Sequence, residues 1–282
     1  MMTPDEVSSG GLSPARKPCQ NLDRPPCLRK MARAPPMGVF VKIVIISDIH
    51  ANLAALQALP ERDFDQLWCI GDLVDYGPRP HEVVEWIKQE ATITVRGNHD
   101  HAAGFSVDPQ CSPPYKRLAA ETLRYTDKVC TKDELRFLRN LPIRSETTVD
   151  ATRFYLVHAT PTDPLFGYCP EDSGQWEKEV EWAGCDVLVV GHTHTPFIRH
   201  VGKTIVVNPG SLGQPKTGRP RACYAVWEDG RLALQEYDYS IEDTVRQIRE
   251  MPISPEDQDA LIVVLKTGFL PAAKSSTTPI VA

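Results

Sequence analysis

No stretch of this 282-residue chain stays apolar for long. Its longest mostly apolar runs, such as Val41 to Ile46 and Leu261 to Leu265, fall far short of the roughly 18 residues needed to cross a bilayer, so no membrane segment is expected. A signal-peptide apolar region is also missing. Basic residues are in deficit, with 31 Lys and Arg against 37 Asp and Glu and a net charge of -6. Stable nucleic-acid binding and anionic-membrane binding both call for a basic surface, so neither partner is expected. The eight cysteines, at positions 19, 27, 69, 111, 130, 169, 185 and 223, include no Cys-x-x-Cys pair and no zinc-ribbon spacing. That pattern disfavours a disulfide scaffold and leaves reduced thiols in a cytoplasmic enzyme as the simplest reading. No internal repeat is visible, and the tryptophans at 68, 86, 182 and 227 fall in apolar patterns that suit core packing.

What is present begins after a proline-rich lead. Residues 1–38 lack hydrophobic periodicity and are expected to be a disordered extension, or sequence upstream of the true start. Asp5, Glu6, Asp23 and the prolines speak against an organelle transit peptide. One domain is expected over 39–270, with a flexible tail at 271–282. From Val41 the pattern alternates between strand-like runs (41–47, 66–70, 92–96) and helix-like segments (53–59, 81–89), which is the signature of βαβ units. Residues 101–145 read as a helical cap insertion, with helices at 116–129 and 132–138, the second capped by Thr131 with Glu134 three residues on. Further strands are expected at 153–157, 186–190, 204–207, 222–227 and 232–239, the last two joined by an Asp229-Gly230 turn. Helices are expected at 171–182 and 241–249. Parallel units early and a hairpin late suggest two sheets packed face to face with helices outside.

Metal-competent side chains recur where strand-like runs end. Asp48 and His50 lie two apart and share a side if the strand geometry continues, offering oxygen and nitrogen donors suited to Mn, Fe or Zn rather than Ca. Asp72 follows Gly71 and has two oxygens with which to hold two metals, although a loop aspartate here also fits an Asx turn. Asn98 in Gly97-Asn98-His99-Asp100 offers a neutral amide oxygen, His158 closes the run 153–157, and His192 and His194 alternate along an extended segment after Gly191. In an open α/β sheet the carboxyl ends of the strands converge on one crevice, where these residues meet. Each box alone also suits a cap, a turn or a core histidine, and spacing does not divide the ligands between metals.

The ordered boxes Asp-x-His, Gly-Asp-x-x-Asp, Gly-Asn-His-Asp, a lone His and Gly-His-x-His resemble the calcineurin-like metallophosphoesterase superfamily. Residues 47–52, 71–78, 96–100 and 208–211 resemble its compact bacterial phosphodiesterase branch, over about residues 41–265. The resemblance implies a four-layer αββα sandwich of two mixed sheets and a dinuclear centre, with Asp48, His50, Asp72 and His194 on one metal and Asp72, Asn98, His158 and His192 on the other. It also implies that the non-ligand His99 protonates the leaving alkoxide or stabilises charge and that Asp75 orients it, although Asp75 also fits a turn before Tyr76-Gly77-Pro78. Tyr76 stands where the protein phosphatases usually carry Arg, so Arg96 or Arg79 is left as a candidate phosphate contact. Asn208-Pro209-Gly210-Ser211 could form an anion nest or simply shape a turn.

Two divalent cations, offset by two carboxylates and a bridging hydroxide, leave a positive centre that attracts a phosphate ester. The expected activity is therefore metal-dependent phosphodiester hydrolysis, by that hydroxide, of a small or nucleotide-like substrate. Mn is the leading metal, with Fe, Zn, Ni and Co also compatible. Alternatives are a phosphomonoesterase or phosphoprotein phosphatase, a dinucleoside-polyphosphate hydrolase, and a non-catalytic scaffold on the same fold. Oligomeric state is not legible.

Overall fold

A computed structural model describes residues 41–270. The expectations for residues 1–38 and 271–282 lie outside the described residues. Ten strands form two five-stranded mixed sheets. The first has the order β10 (Arg231–Tyr237), β9 (Ala222–Glu228), β1 (Ile43–Ile46), β2 (Gln66–Cys69), β3 (Ile93–Thr94). The second runs β4 (Arg144–Val149), β5 (Thr152–Val157), β6 (Val187–Val189), β8 (Thr204–Asn208), β7 (Phe197–Val201). Within the first sheet β1, β2 and β3 are parallel, and within the second β5, β6 and β8 are parallel. Their carboxyl ends supply the loops of the site.

Alternation along β1 explains the layering. Ile43 and Ile45 enter the core between the sheets with Phe154, Leu156, Val187 and Val207, while Val44 and Ile46 face the helix layer. Both faces are therefore buried, which is why this strand reads as a nearly unbroken apolar run. Phe154 joins the sheets, its ring edge-on to Trp68 and to Trp227 with centroids 5.0 Å away in each case. Such pairs add roughly 0.5–1.5 kcal/mol each beyond the area they bury. Helices α1 (Leu53–Gln57) and α2 (Pro80–Glu90) cover the outer face of the first sheet, and α6 (Trp176–Ala183) that of the second. The architecture is the four-layer αββα sandwich.

Between β3 and β4 lie α3 (Asn98–Phe105), a single 3-10 turn at Pro113–Tyr115, α4 (Lys116–Val129) and α5 (Lys132–Asn140). Thr131 Oγ1 accepts from Glu134 N, and Glu134 Oε2 accepts from Thr131 N, so the capping box forms as its spacing predicts. Two helices follow β10, namely α7 (Ile241–Arg249) and α8 (Pro255–Thr267), and both pack with α4 around Tyr76. No described helix is long and apolar enough to cross a membrane.

Several expectations change in the structure. The helix expected from Glu171 starts only at Trp176, because Pro170 and Ser173 close a turn first. Strands β4 and β7 carry little apolar signal, as sheet-edge strands need not. Helix α8 reads in sequence only as a short apolar run, yet Ser254 caps it, Pro255 opens it and Gly268, at φ +76°, ends it. Finally, the stretch bearing His192 and His194 is not extended. Both residues are left-handed, at φ 64° and 59°, so a turn and not strand alternation brings them together.

Candidate active site

Five loops meet where the two sheets abut. The first sheet contributes Asp48 and His50 after β1, Asp72 after β2 and Asn98 after β3; the second contributes His158 after β5 and His192 and His194 after β6. Donor atoms of Asp48, His50, Asp72 and His194 all lie within 4.8 Å of one another, and so do those of Asp72, His158 and His192. Asp72 belongs to both groups, and each group draws on both sheets.

Backbone carbonyls set the chemical state of three of these rings. Nδ1 of His50 lies 3.0 Å from Val74 O, that of His158 2.7 Å from Ile70 O, and that of His194 2.6 Å from Gln214 O. A carbonyl only accepts, so Nδ1 carries the proton in each ring and Nε2 presents a lone pair inward. His50 Nε2 and His194 Nε2 face each other at 3.1 Å, and the buried Asp48 Oδ1 beside them has no hydrogen-bond partner. In the second group Asn98 Nδ2 donates to Pro109 O, which turns Oδ1 toward His158 Nε2 at 3.2 Å, with Asp72 Oδ2 also 3.2 Å from that nitrogen. Acceptors therefore converge on acceptors at both places, which is the donor set a pair of divalent cations requires. Burial works to lower the proton affinity of His158, whereas Asp72, with Asp48 and the Ile70 carbonyl, raises it, to about 9, which shows how strongly negative this pocket is.

The loops fit together only because key positions lack side chains. A Cβ on Gly97 would lie 2.0 Å from Asp72 Oδ1, and one on Gly191 2.2 Å from Ser47 Oγ. Asp48, His50, Asp72, His192 and His194 all have positive φ, a cluster of backbone strain of about 1–3 kcal/mol apiece of the kind found at functional sites. Asp100 stitches two loops together, its carboxylate accepting from the backbone N–H groups of Asp72, Leu73 and Gly97. The segment Asn208–Ser211 shapes a turn: Asn208 donates to Gly191 O, and Ser211 Oγ donates to Asp48 O.

His99 sits beside these groups on a different axis. Its N–H donates to Asp72 Oδ1, its Nδ1 is 2.8 Å from Asp75 Oδ2, and Thr126 of α4 donates to Asp75 Oδ1 at 2.7 Å. Burial works to deprotonate His99, but Cys111, Asp72 and Asp75 outweigh it and hold the ring well above the usual histidine range.

A cleft of about 260 Å³ opens over Asp72, Asn98, His99, His192 and His194. Its walls include Tyr115, Phe166, Tyr168 and Lys216, none of which the sequence singled out for a role. Lys216 Nζ lies 5.0 Å from the Tyr115 ring centroid and makes no ion pair among the described residues. Arg96 is not a wall residue: its guanidinium lies over Phe105, 5.1 Å from the ring centroid, and donates to Arg139 O. The phosphate contact expected of Arg96 is corrected accordingly, because the residue leaves β3 on the side where α3 and α5 pack. Arg79 is also elsewhere, donating to Gln247. The only hint of Lys216 in the sequence is its place five residues after Ser211.

Comparison with known proteins agrees with this geometry. Residues 41–229 match the calcineurin-like phosphoesterase superfamily domain. An uncharacterised protein of Methanocaldococcus jannaschii is 31% identical over 228 residues, covering 73% of this chain and 91% of that one. The phosphodiesterase YfcE of Escherichia coli is 26% identical over 212 residues, 69% of this chain and 91% of that one. A metallophosphoesterase from Sphaerobacter thermophilus superposes with a TM-score of 0.70 at 30% identity, over 82% of this chain and all of the other.

Proposed function

The chain belongs to the calcineurin-like phosphoesterase superfamily as a metal-dependent phosphoric ester hydrolase, and from that membership we propose that its substrate is a small phosphodiester and its metal Mn²⁺. The observation that carries the reading is the pair of acceptor clusters sharing Asp72 at the base of a cleft whose wall holds Lys216, which has no ion-pair partner among the described residues. Asp48, His50, Asp72 and His194 would hold one ion, and Asp72, Asn98, His158 and His192 the other. Two ions so held would offset the charge of phosphoryl oxygens and would lower the pKa of water, supplying a nucleophile near neutral pH.

The remaining steps fall to the protein. Asp75 keeps a proton on His99 Nδ1, which leaves Nε2–H to protonate the departing oxygen. Cys111, Asp72 and Asp75 raise the proton affinity of the ring above the usual histidine range, which favours the role of an acid. That service matters most for an alkoxide, a poor leaving group. Lys216 pairs with a non-bridging oxygen of the substrate. A diester carries one negative charge at phosphorus where a monoester carries up to two, and a wall with one lysine and with Tyr76 in the arginine position suits the diester. Tyr115, Phe166 and Tyr168 offer ring faces to the ester substituent, which favours an aromatic or nucleoside group.

Metal-stripped protein refilled with Mn²⁺, Fe²⁺, Zn²⁺, Co²⁺ or Ni²⁺ and offered bis-p-nitrophenyl phosphate and p-nitrophenyl phosphate tests this. Higher kcat/KM for the diester, with Mn²⁺ the best ion, is the expected result. Preference for the monoester would overturn the diesterase reading, and metal loading without turnover of either ester would point to a non-catalytic scaffold.

A further inference from the structure

A run of aromatic rings leads away from the cleft on the side opposite its metal-competent groups. Phe166 lines the cleft, and its ring centroid lies 6.3 Å from that of His101 on α3. The His101 ring lies 4.7 Å from Phe105 at the end of the same helix. Over Phe105 stand two guanidinium groups, those of Arg96 and Arg139, 5.1 and 5.3 Å from its centroid. Phe105 is 42% exposed, so this far end of the path is open to solvent.

The two arginines are unusual in a chain whose acidic residues outnumber its basic ones. Arg79, Arg117, Arg124, Arg136, Arg246 and Arg249 each meet a carboxylate, whereas neither Arg96 nor Arg139 makes an ion pair among the described residues. Carbonyls alone hold them, Arg96 Nη1 donating to Arg139 O and Arg139 Nε to Gly104 O. Arg96 Nε is buried without a hydrogen-bond partner, and Nη2 of Arg96 and both Nη groups of Arg139 have no acceptor among the described residues. Two like charges set against one ring, with forked donors unused, suit a phosphate, which accepts parallel hydrogen bonds from a guanidinium.

We propose that Arg96 and Arg139 form a subsite for a second phosphate, separated from the reacting one by a nucleoside, so that the substrate is a dinucleotide or short oligonucleotide carrying a further phosphate. The inference deepens the small-phosphodiester reading of the cleft and rests on it. Arg96 faces away from the reacting phosphate, and its contact is with the distal one. The rings in between decide the class, because a base stacks on an aromatic face whatever its identity, and Phe166 and His101 fill the interval. In a dinucleoside polyphosphate the second phosphate adjoins the reacting one with no nucleoside between, so its charge would fall at Lys216 and not at the arginine pair. A patch of two arginines is matched to one phosphate, in keeping with a net charge of -6 that disfavours long nucleic acid.

The test compares three substrates on the full chain loaded with Mn²⁺: thymidylyl-thymidine, and the same compound with a terminal phosphate at one end or at the other. One of the phosphorylated forms is expected to show a KM lower by about tenfold or more, the effect of a charged hydrogen bond. Arg96→Ala and Arg139→Ala should each erase most of that advantage, and Arg139→Lys, which keeps the charge and loses the fork, should keep part of it. A substitution that merely loosened the fold would affect all three substrates alike and leave their ratio standing. Equal KM values for the three in wild type, or an advantage that survives both alanine variants, would overturn the proposal. A protein that hydrolyses neither these compounds nor bis-p-nitrophenyl phosphate would refute the diesterase reading, and equilibrium dialysis of the phosphorylated dinucleotides would then decide the subsite by itself. Binding weaker by about tenfold in Arg139→Ala would support it. Equal binding by wild type and both alanine variants would overturn it.

Discussion

The floor and the wall of the cleft are built on different principles. On the floor the metal-competent groups other than His192 are fixed twice, by position after a strand and by a side-chain contact to backbone, as with the carbonyls behind His50, His158 and His194. Glycines at 97 and 191 let the loops approach so closely that any side chain there would collide with a neighbour. The wall is different: Tyr168 is 66% exposed, and Lys216 rests on a ring without an ionic partner among the described residues. Over-determination belongs where two cations must be held to fractions of an ångström, and adaptability where substrates differ.

Substitutions can break this contrast or sharpen it. Asp72→Ala removes the group common to both clusters and should abolish turnover, with Mn²⁺ affinity falling by at least about a hundredfold, since even outer-shell losses cost 10–100-fold; metal analysis after dialysis checks it. His99→Ala leaves the floor intact and should keep both ions while kcat for an alkyl diester falls by about 10²- to 10⁴-fold. Unchanged kcat would remove the acid from the mechanism. Gly97→Ala drives a methyl group into Asp72 and should cost about 1–3 kcal/mol of stability in denaturant unfolding, with weaker metal binding. On the wall, Lys216→Ala should raise KM by about ten- to a hundredfold, in keeping with roughly 1.5–3 kcal/mol for a charged hydrogen bond, while kcat moves little. Tyr168→Ala should change KM only a few-fold, and differently for each ester substituent, because an exposed ring contributes about 1 kcal/mol. If Lys216→Ala proved as damaging as His99→Ala, the wall would be part of the machinery and the contrast would fail.

The same division governs what could be read from the sequence. Floor residues are legible because the chemistry admits few residue types, and the strand ends place them in a fixed order. Even so, His192 and His194 reach the site through left-handed backbone, a conformation that no alternation pattern predicts. Wall residues carry no such signature. Arg96 and Lys216 are equally suitable cations on paper; tertiary packing alone decides that Arg96 turns to Phe105 while Lys216 enters the cleft. Thr126 shows the limit most plainly. It reads as one more residue of an amphipathic helix, yet its hydroxyl holds Asp75 from 51 positions away.

Each acceptor cluster takes members from both sheets, and that has a consequence for how the protein matures. Neither half of the sandwich carries a complete cluster by itself, since Asp48, His50, Asp72 and Asn98 stay with one half and His158, His192 and His194 with the other. Ion capture by the full donor sets would thus be completed only when the two sheets have docked. Once captured, the ions rivet the seam. At a free concentration of a hundred times its dissociation constant each ion adds about 2.7 kcal/mol against separation of the halves. A chelator should therefore do more than stop catalysis: it should lower the denaturant midpoint of the metal-loaded protein.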